Sequence, residues 1–368
     1  MAKDGKSETT FMRGARSFIA GRFETVERET FDDGWTPEEK EQDGKSGPLQ
    51  TQVTIERARS IVSHNDSPDV GFDSSINPYR GCEHGCIYCY ARPSHAYLEL
   101  SPGLDFETKL FAKTNAAGLL RAELAKPGYK PTVIALGANT DCYQPIERKY
   151  KITRQILEVL AECDHPVSIV TKSALVERDL DILGPMAAKN LVRVFVSIGT
   201  LDRELARKLE PRAASPQRRL DVLKNLANAA VPCGVMVAAL IPALNDKTME
   251  HVLEAAAAAG AEEAAYVIMR LPNELKDLFK EWLAAHYPDR AQHVISIVRQ
   301  MRGGKDNDPR FGTRMSGTGN FAELIAKRFE IACRKYHLNE HGAGRRRAEL
   351  NCELFRPPAA NPGQFTLF

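Results

Sequence analysis

No apolar run in this chain approaches membrane-spanning length: the best, Val235 to Leu244, is short and broken by Pro242. The opening residues Met1-Ala2-Lys3-Asp4-Gly5-Lys6 lead into polar sequence without the apolar core of a signal peptide. A cytoplasmic location and no membrane partner are therefore expected. Cysteine is sparse, eight residues in 368, which is too few for a disulfide framework in a chain of this size. There is no repeat at a solenoid period. The glycine-rich stretch Phe311 to Gly319 does not follow a strand and open a phosphate-binding helix, so a P-loop is excluded. What is present, 43% hydrophobic and 27% charged residues, is the composition of a soluble globular protein.

The cysteines are scarce but unevenly placed. Cys82, Cys86 and Cys89 fall within eight positions of the run Asn77 to Tyr90, with His84 between the first two. Three thiols and an imidazole on one short loop can converge on a soft metal centre. Two centres fit at this point: a closed four-ligand zinc site using Cys82, His84, Cys86 and Cys89, or an iron-sulfur cluster on the three thiols with one iron left open. The imidazole would crowd a zinc loop, since zinc ligand pairs are usually more widely spaced. The other cysteines, Cys142, Cys163, Cys233, Cys333 and Cys352, are too far apart in sequence to form a second cluster motif.

The Cys-x3-Cys-x2-Cys spacing, with aromatic Tyr88 just before the third cysteine, resembles the cluster loop of radical S-adenosylmethionine (SAM) enzymes. The resemblance implies a 4Fe-4S cluster on Cys82, Cys86 and Cys89. It also implies that the open iron chelates SAM, which an electron cleaves to a 5′-deoxyadenosyl radical.

From Asp73 to about Pro272 apolar strand-like runs alternate with amphipathic helices. Ser74 to Tyr79 reads as a strand feeding the cysteine loop, Asp105 to Lys113 as an extended piece and Ala116 to Ala125 as a helix. Strands are then expected at Pro131–Gly137, Val167–Thr171, Leu191–Ile198, Gly234–Ile241 and Ala265–Leu271. Helices lie between them, one opened by Ser215-Pro216 as N-cap and first helical residue. About six βα units suit an α/β fold of the partial TIM-like (β/α)6 radical SAM barrel type, whose site lies beyond the strands' C-terminal ends. The strand ends carry polar groups as that rule requires: Asn139 to Glu147, Thr171-Lys172-Ser173, Ser197 to Thr200, Pro242 to Asp246, and Arg270. Asn245 and Asp246 are equally well read as helix caps.

The runs Asn77 to Tyr90, Thr140 to Glu147, Thr171-Lys172-Ser173 and Glu210-Pro211-Arg212 together look like the radical SAM proteins related to spore photoproduct lyase. By this likeness Tyr88 packs near the SAM adenine. Asn139, Thr140 or Asp141 contacts its amino group, and Lys172 and Ser197 hold its carboxylate or ribose. The lyase is similar in using a cysteine near the end of the second strand to return a hydrogen atom. Here Ala138 and Asn139 precede Thr140-Asp141, and Cys142 follows instead. Cys142, or else Tyr143, is then the candidate donor, with passive packing as the other reading. Glu210 and Arg212 either position substrate or SAM or form a surface ion pair.

The remaining boundaries follow from composition. Residues 1–60 read as a mostly flexible N-terminal segment, although Arg13-Gly14-Ala15-Arg16 and Arg22-Phe23-Glu24 could wrap the core, a solvated tail being the simpler expectation. The radical SAM core is 61–272, a helical C-terminal extension 273–340 and a flexible tail 341–368. In the extension, Leu275, Leu278, Phe279 and Trp282 form a packing stripe. Asn320 with Glu323 resembles a capping box opening a helix with Phe321, Leu324, Ile325 and Phe329 on one side. Between Arg299 and Arg347 twelve Lys and Arg face five Asp and Glu, an excess of +7 in a chain whose net charge is +2. That excess suggests a polyanion partner. The expected activity is hydrogen abstraction from a substrate, a DNA or RNA base in a lyase or repair-like reaction, with an electron donor such as flavodoxin or ferredoxin. The reading from a different class is a non-catalytic nucleic-acid-binding protein with a structural zinc loop and a basic C-terminal arm.

Overall fold

The computed structural model describes residues 13–24, 49–340 and 349–358. Its ten strands are β1 (Gln52–Ile55), β2 (Val62–His64), β3 (Ser74–Ile76), β4 (Tyr79–Arg80), β5 (Lys109–Ala112), β6 (Ile134–Leu136), β7 (Val167–Thr171), β8 (Val192–Ser197), β9 (Cys233–Leu240) and β10 (Glu263–Ile268). Seven form one sheet in the order β10-β9-β8-β7-β6-β3-β2. Its six strands from β3 to β10 run parallel, and β2 is antiparallel to β3. Covering helices between successive strands include Ile152–Glu162, Leu180–Ala188, Pro216–Asn228 and Met249–Ala258. This is the expected partial barrel of six βα units, open between its first and last strands.

The apolar runs are strands because both faces are covered. Val192, Val194 and Val196 of β8 and Val235 and Val237 of β9 are buried in one core with Ile156, Leu160, Leu223 and Leu253 from the helices. Helix Pro216–Asn228 starts where expected: the Ser215 hydroxyl accepts a hydrogen bond from Arg218 N at 3.3 Å, and Pro216 needs no partner in the first turn.

Five local expectations change. Asp105–Thr108 is a helical turn, and only Lys109–Ala112 is extended. The latter pairs with β1, which lies inside the stretch read as flexible, and with β4, giving a second three-stranded sheet. β1 is mostly exposed on both faces, which is why it lacks the alternation that marks a half-buried strand. Asn320 is not a cap: helix Asn320–Lys335 begins after Gly319, whose φ is 83° and which has no side chain to accept a bond, and Leu324 points to solvent while Ala322 and Ile325 are buried. Residues 349–358 pack on the barrel, with Arg356 N donating to Cys163 O at 2.8 Å and Phe355 ringed by Tyr129 and His165. Residues 13–24 are docked as well.

The helical extension comprises Leu275–His286, Pro288–Gln300 and Asn320–Lys335. The stripe Leu275, Leu278, Phe279 and Trp282 is buried, as packing requires. Buried Arg302 donates to Thr313 O, Arg314 O, Ile268 O and Met269 O, tying the glycine-rich loop to the end of β10. Arg314 in turn bonds Asp69 and Ser67 beside β3, so side chains bridge the barrel's open edge. Among the described residues no helix is long and apolar enough to cross a membrane.

Candidate cluster and cofactor site

The cysteine loop follows β4 of the smaller sheet, and its shape depends on two glycines in the left-handed region, Gly81 at φ 72° and Gly85 at φ 66°. A Cβ on Gly85 would lie 2.6 Å from Glu107 Oε2. The loop is fastened along its length. Cys82 N donates to Phe106 O, Glu83 N to Gln144 Oε1 and Ile87 N to Leu209 O, at 2.9, 2.9 and 3.0 Å. Arg92 donates to Cys86 O and Gly85 O and pairs with Glu107 at 2.5 Å, both side chains fully buried. Glu107 also accepts from Gly14 N at 2.9 Å and Ala15 N at 2.8 Å, so the N-terminal segment wraps the core at this point.

Burial pushes two of the thiols up, Cys86 to about 12 and Cys82 well above its ordinary value. Three thiols on one loop, two of them held protonated by burial, suit a group that displaces their protons, as a metal cluster does. His84 is turned away from them: its Nδ1 lies 3.3 Å from Asp141 Oδ2. The donor set on the loop is thus three sulfurs, and no three His, Cys, Asp or Glu side chains among the described residues converge tightly enough for a single ion. A cluster that spreads its sulfur ligands over several irons and keeps one iron without a protein ligand fits this arrangement.

The other expected site residues divide into outward-facing and internal groups. Asp141 Oδ1 accepts from Tyr143 N and Thr171 Oγ1, and Oδ2 from Lys172 N, at 2.9, 2.7 and 2.7 Å. Burial alone would raise the pKa of this carboxyl, but His84 and these donors outweigh it and hold the value at about 2. Thr140 Oγ1 donates to Tyr79 O, and Ser197 Oγ to Ala238 O. Tyr88 OH donates to Glu210, which also receives Arg219. Lys172 Nζ lies over the Tyr88 ring, 5.8 Å from its centroid, and makes no ion pair among the described residues. Burial disfavours its charge, yet Cys86 and Glu210 keep its pKa above the usual lysine value. Asn139 is exposed. Cys142 and Tyr143 have no exposed surface and belong to the barrel core, with Tyr143 OH donating to Asp179 Oδ2 at 3.1 Å.

Glu210 is not part of a surface ion pair. It is buried beneath the cysteine loop, and Arg212 reaches Glu83 of that loop at 3.0 Å. Asn245 is not a helix cap either: its amide bonds Ile241 N, Gly199 O and Ala239 O, joining the loops after β8 and β9. The Arg92–Glu107 pair leaves no signal in the sequence, because its members are separated by strandless chain with no motif. Tyr90 and Arg270 form another unexpected group. Tyr90, exposed beside Cys89, bonds Ala138 O, and the Arg270 guanidinium lies 5.7 Å from its ring. Within the C-terminal segment Arg299, Arg310 and Arg334 pair with its own carboxylates, and among the described residues only Arg314 and Arg328 pair with acids outside it, Asp69 and Glu250, so the positive excess is offset by two charges. The run Arg345-Arg346-Arg347 lies outside the described residues.

Residues 76–256 match a family model described as the radical SAM superfamily. An uncharacterised protein of Mycobacterium tuberculosis is 38% identical over 231 residues, 62% of this chain and 68% of that protein. The chain belongs to the radical SAM superfamily. Another relative, from Methanocaldococcus jannaschii, is 27% identical over 205 residues, 56% of this chain and 74% of that protein. Among solved structures, spore photoproduct lyase complexed with dinucleoside spore photoproduct is similar in fold, with a TM-score of 0.54 at 17% identity over 77% of this chain and 78% of that one. A variant of that lyase with bound AdoMet and the same dinucleoside also has a TM-score of 0.54, at 18% identity over 84% of each chain. The radical SAM fold read from the cysteine loop and strand alternation is thereby established.

Proposed function

We propose that this radical SAM protein is an enzyme that reductively cleaves SAM to a 5′-deoxyadenosyl radical, which abstracts hydrogen from a nucleic-acid base. The observation that carries the reading is the buttressed loop with three thiols and a His84 turned to Asp141, set at the C-terminal ends of six parallel strands. Cys82, Cys86 and Cys89 would hold a 4Fe-4S cluster. When bound, that group supplies the electron and the open coordination position for SAM.

The protein's part is to bind and orient. Lys172, a cation facing the loop without an ion-pair partner among the described residues, is suited to the SAM carboxylate. Asn139, exposed at the end of β6, is suited to the methionine amino group. Tyr88 supports Lys172 through its ring, and Glu210 and Arg219 fix Tyr88. Thr140, Asp141 and Ser197 serve by shaping the strand ends, with their side-chain oxygens bonded within the protein. Return of a hydrogen atom by Cys142 or Tyr143 would require the packed core around them to open.

A nucleic-acid substrate is supported by Tyr90 and Arg270 beside the cluster loop, an exposed ring next to a guanidinium of the kind that holds a base and its phosphate. The fold neighbour that carries a dinucleoside photoproduct points the same way. A lyase outcome and reduction by a carrier such as flavodoxin or ferredoxin complete the proposal. Anaerobic purification with iron and sulfide analysis, then reduction with SAM, tests it: 5′-deoxyadenosine supports it, and bound zinc without SAM cleavage after reconstitution defeats it. Binding of single-stranded, duplex and ultraviolet-damaged DNA and of RNA tests the substrate class.

A further inference from the structure

The segment Leu209-Glu210-Pro211-Arg212 runs along the cysteine loop and is tied to it on both sides of Cys86. Ile87 N donates to Leu209 O at 3.0 Å, and Arg212 N donates to His84 O at 3.3 Å. Glu210 lies between these two backbone contacts, so it is held against the loop, and it is only 6% exposed. One carboxylate oxygen accepts from Tyr88 OH and the other from Arg219. Tyr88 stands between Cys86 and Cys89 in the sequence, so the carboxylate meets the loop between two of its three thiols.

Arg219 stands behind Glu210. Its other bonds go to Ser197 O and Ala214 O, both at 2.8 Å, and none goes to the loop. The order outward from the loop is Tyr88, Glu210, Arg219, and the pair turns its negative end toward Cys86. The Cys86 thiol feels that order: burial raises its pKa most, Lys172 opposes this, Glu210 adds to it, and Arg219 opposes it less than Lys172 does. Burial alone would raise the Glu210 pKa too, but Arg219 and Lys172 outweigh it and keep the group ionised. Bracing Tyr88 would need no more than an amide. A buried carboxylate with its own guanidinium carries a desolvation cost that a neutral partner avoids, so its charge calls for a reason beyond support.

We propose that Glu210 is a positioning residue for charge, its carboxylate beside Cys86 and Cys89 holding down the reduction potential of the cluster, with Arg219 as the counter-charge that lets it be buried. Reduction adds one electron, taken from a low-potential one-electron reductant, and no bond or proton moves. A carboxylate in a buried site repels the added negative charge, which makes the reduced cluster a stronger donor. A stronger donor favours electron transfer to the SAM sulfonium. The inference rests on the radical SAM reading.

The test uses full-length, cluster-loaded protein under anaerobic conditions. Redox titration followed by electron paramagnetic resonance of the reduced cluster gives midpoint potentials for wild type, Glu210→Gln, Glu210→Asp, Tyr88→Phe and the double variant Glu210→Gln/Arg219→Gln. Glu210→Gln should shift the equilibrium on the order of tenfold toward the reduced form, about 59 mV upward for one electron. Glu210→Asp keeps the charge and should stay near wild type. Tyr88→Phe loosens the same contact without removing the charge, and it should stay near wild type as well. The double variant strands no buried charge, and its midpoint should rise by less, which decides the matter if Glu210→Gln alone loses its cluster. An unchanged or lower midpoint in the variants that lack the carboxylate overturns the proposal. So does loss of the cluster from both of them, which would make the pair a support for the loop, and so does an equal rise in Tyr88→Phe, which would make water entry the cause. Wild type on which no reducible cluster assembles would instead overturn the radical SAM reading, before any variant is compared.

Discussion

A side-chain carbon on Gly14 would stand 1.7 Å from the carbonyl oxygen of Gly85, inside the cysteine loop. Two backbone segments more than seventy residues apart in sequence are thus in direct contact, and neither can retreat easily, because Glu107 holds Gly14 N while Arg92 holds Gly85 O. Gly14→Ala should therefore displace the loop. We expect a stability loss of about 1–3 kcal/mol, as for overpacking, with a clear fall in iron and sulfide retained per chain. Full cluster content at an unchanged thermal midpoint would refute the contact.

Glu107 is the hub of the same clamp, accepting from Arg92, Gly14 and Ala15 with no exposed surface. Glu107→Gln leaves the buried guanidinium of Arg92 without its counter-charge and turns an amide donor toward other donors. Breaking one side of a buried pair costs about 3–5 kcal/mol. Denaturant unfolding of the two proteins checks this. A change below the error of the extrapolation would mean that Arg92 is adequately satisfied by its carbonyl partners Cys86 O, Gly85 O, Pro102 O and Gly103 O.

The sequence made the barrel legible because parallel strands buried on both faces are continuous apolar runs, and Val167–Thr171 appears in the structure with the expected bounds. The cysteine loop was legible because its residues are consecutive. What supports the loop was legible only in part: the runs Arg13-Gly14-Ala15-Arg16 and Glu210-Pro211-Arg212 stand out in the sequence without their partners, while Glu107 and Arg92 meet the loop only through the fold and carry no local pattern. Polar type at a strand end indicated position but not direction: Ser197 and Asp141 bond inward, while Lys172 faces the loop. Cys142 illustrates the same limit, for a cysteine one residue past a polar strand end is packed in the core.

Lys172 should matter for SAM and not for folding. Its ammonium lies over Tyr88 and makes no ion pair among the described residues, and the buried Glu210 carboxylate, which it also stabilises, keeps its closer partner Arg219 when the lysine is removed. Lys172→Ala should raise the Kd for SAM roughly ten- to a hundredfold, the worth of about 1.5–3 kcal/mol for a hydrogen bond to a charged group. Lys172→Arg should recover part of it. Equilibrium dialysis with SAM on cluster-loaded protein measures the effect. An unchanged Kd with normal iron content would remove Lys172 from the SAM site.

Two buried histidines set an acid limit on the fold. His165 bonds Tyr129 OH at 2.9 Å and Pro166 O at 3.0 Å, and His95 bonds Lys109 O at 2.9 Å; burial lowers each pKa from 6.5 to about 4. Each ring is neutral when folded, so the unfolded chain binds more protons between those values. Stability from these groups is fully present above pH 6.5 and is lost as pH falls toward 4, by up to about 1.4 kcal/mol per pH unit for each histidine. The urea midpoint should therefore drop between pH 7 and 5 in the cluster-free and the loaded protein alike. His165→Phe, which cannot titrate, should reduce that slope by about half. A midpoint that stays flat across this range would show that the two imidazoles titrate alike in the folded and unfolded chain.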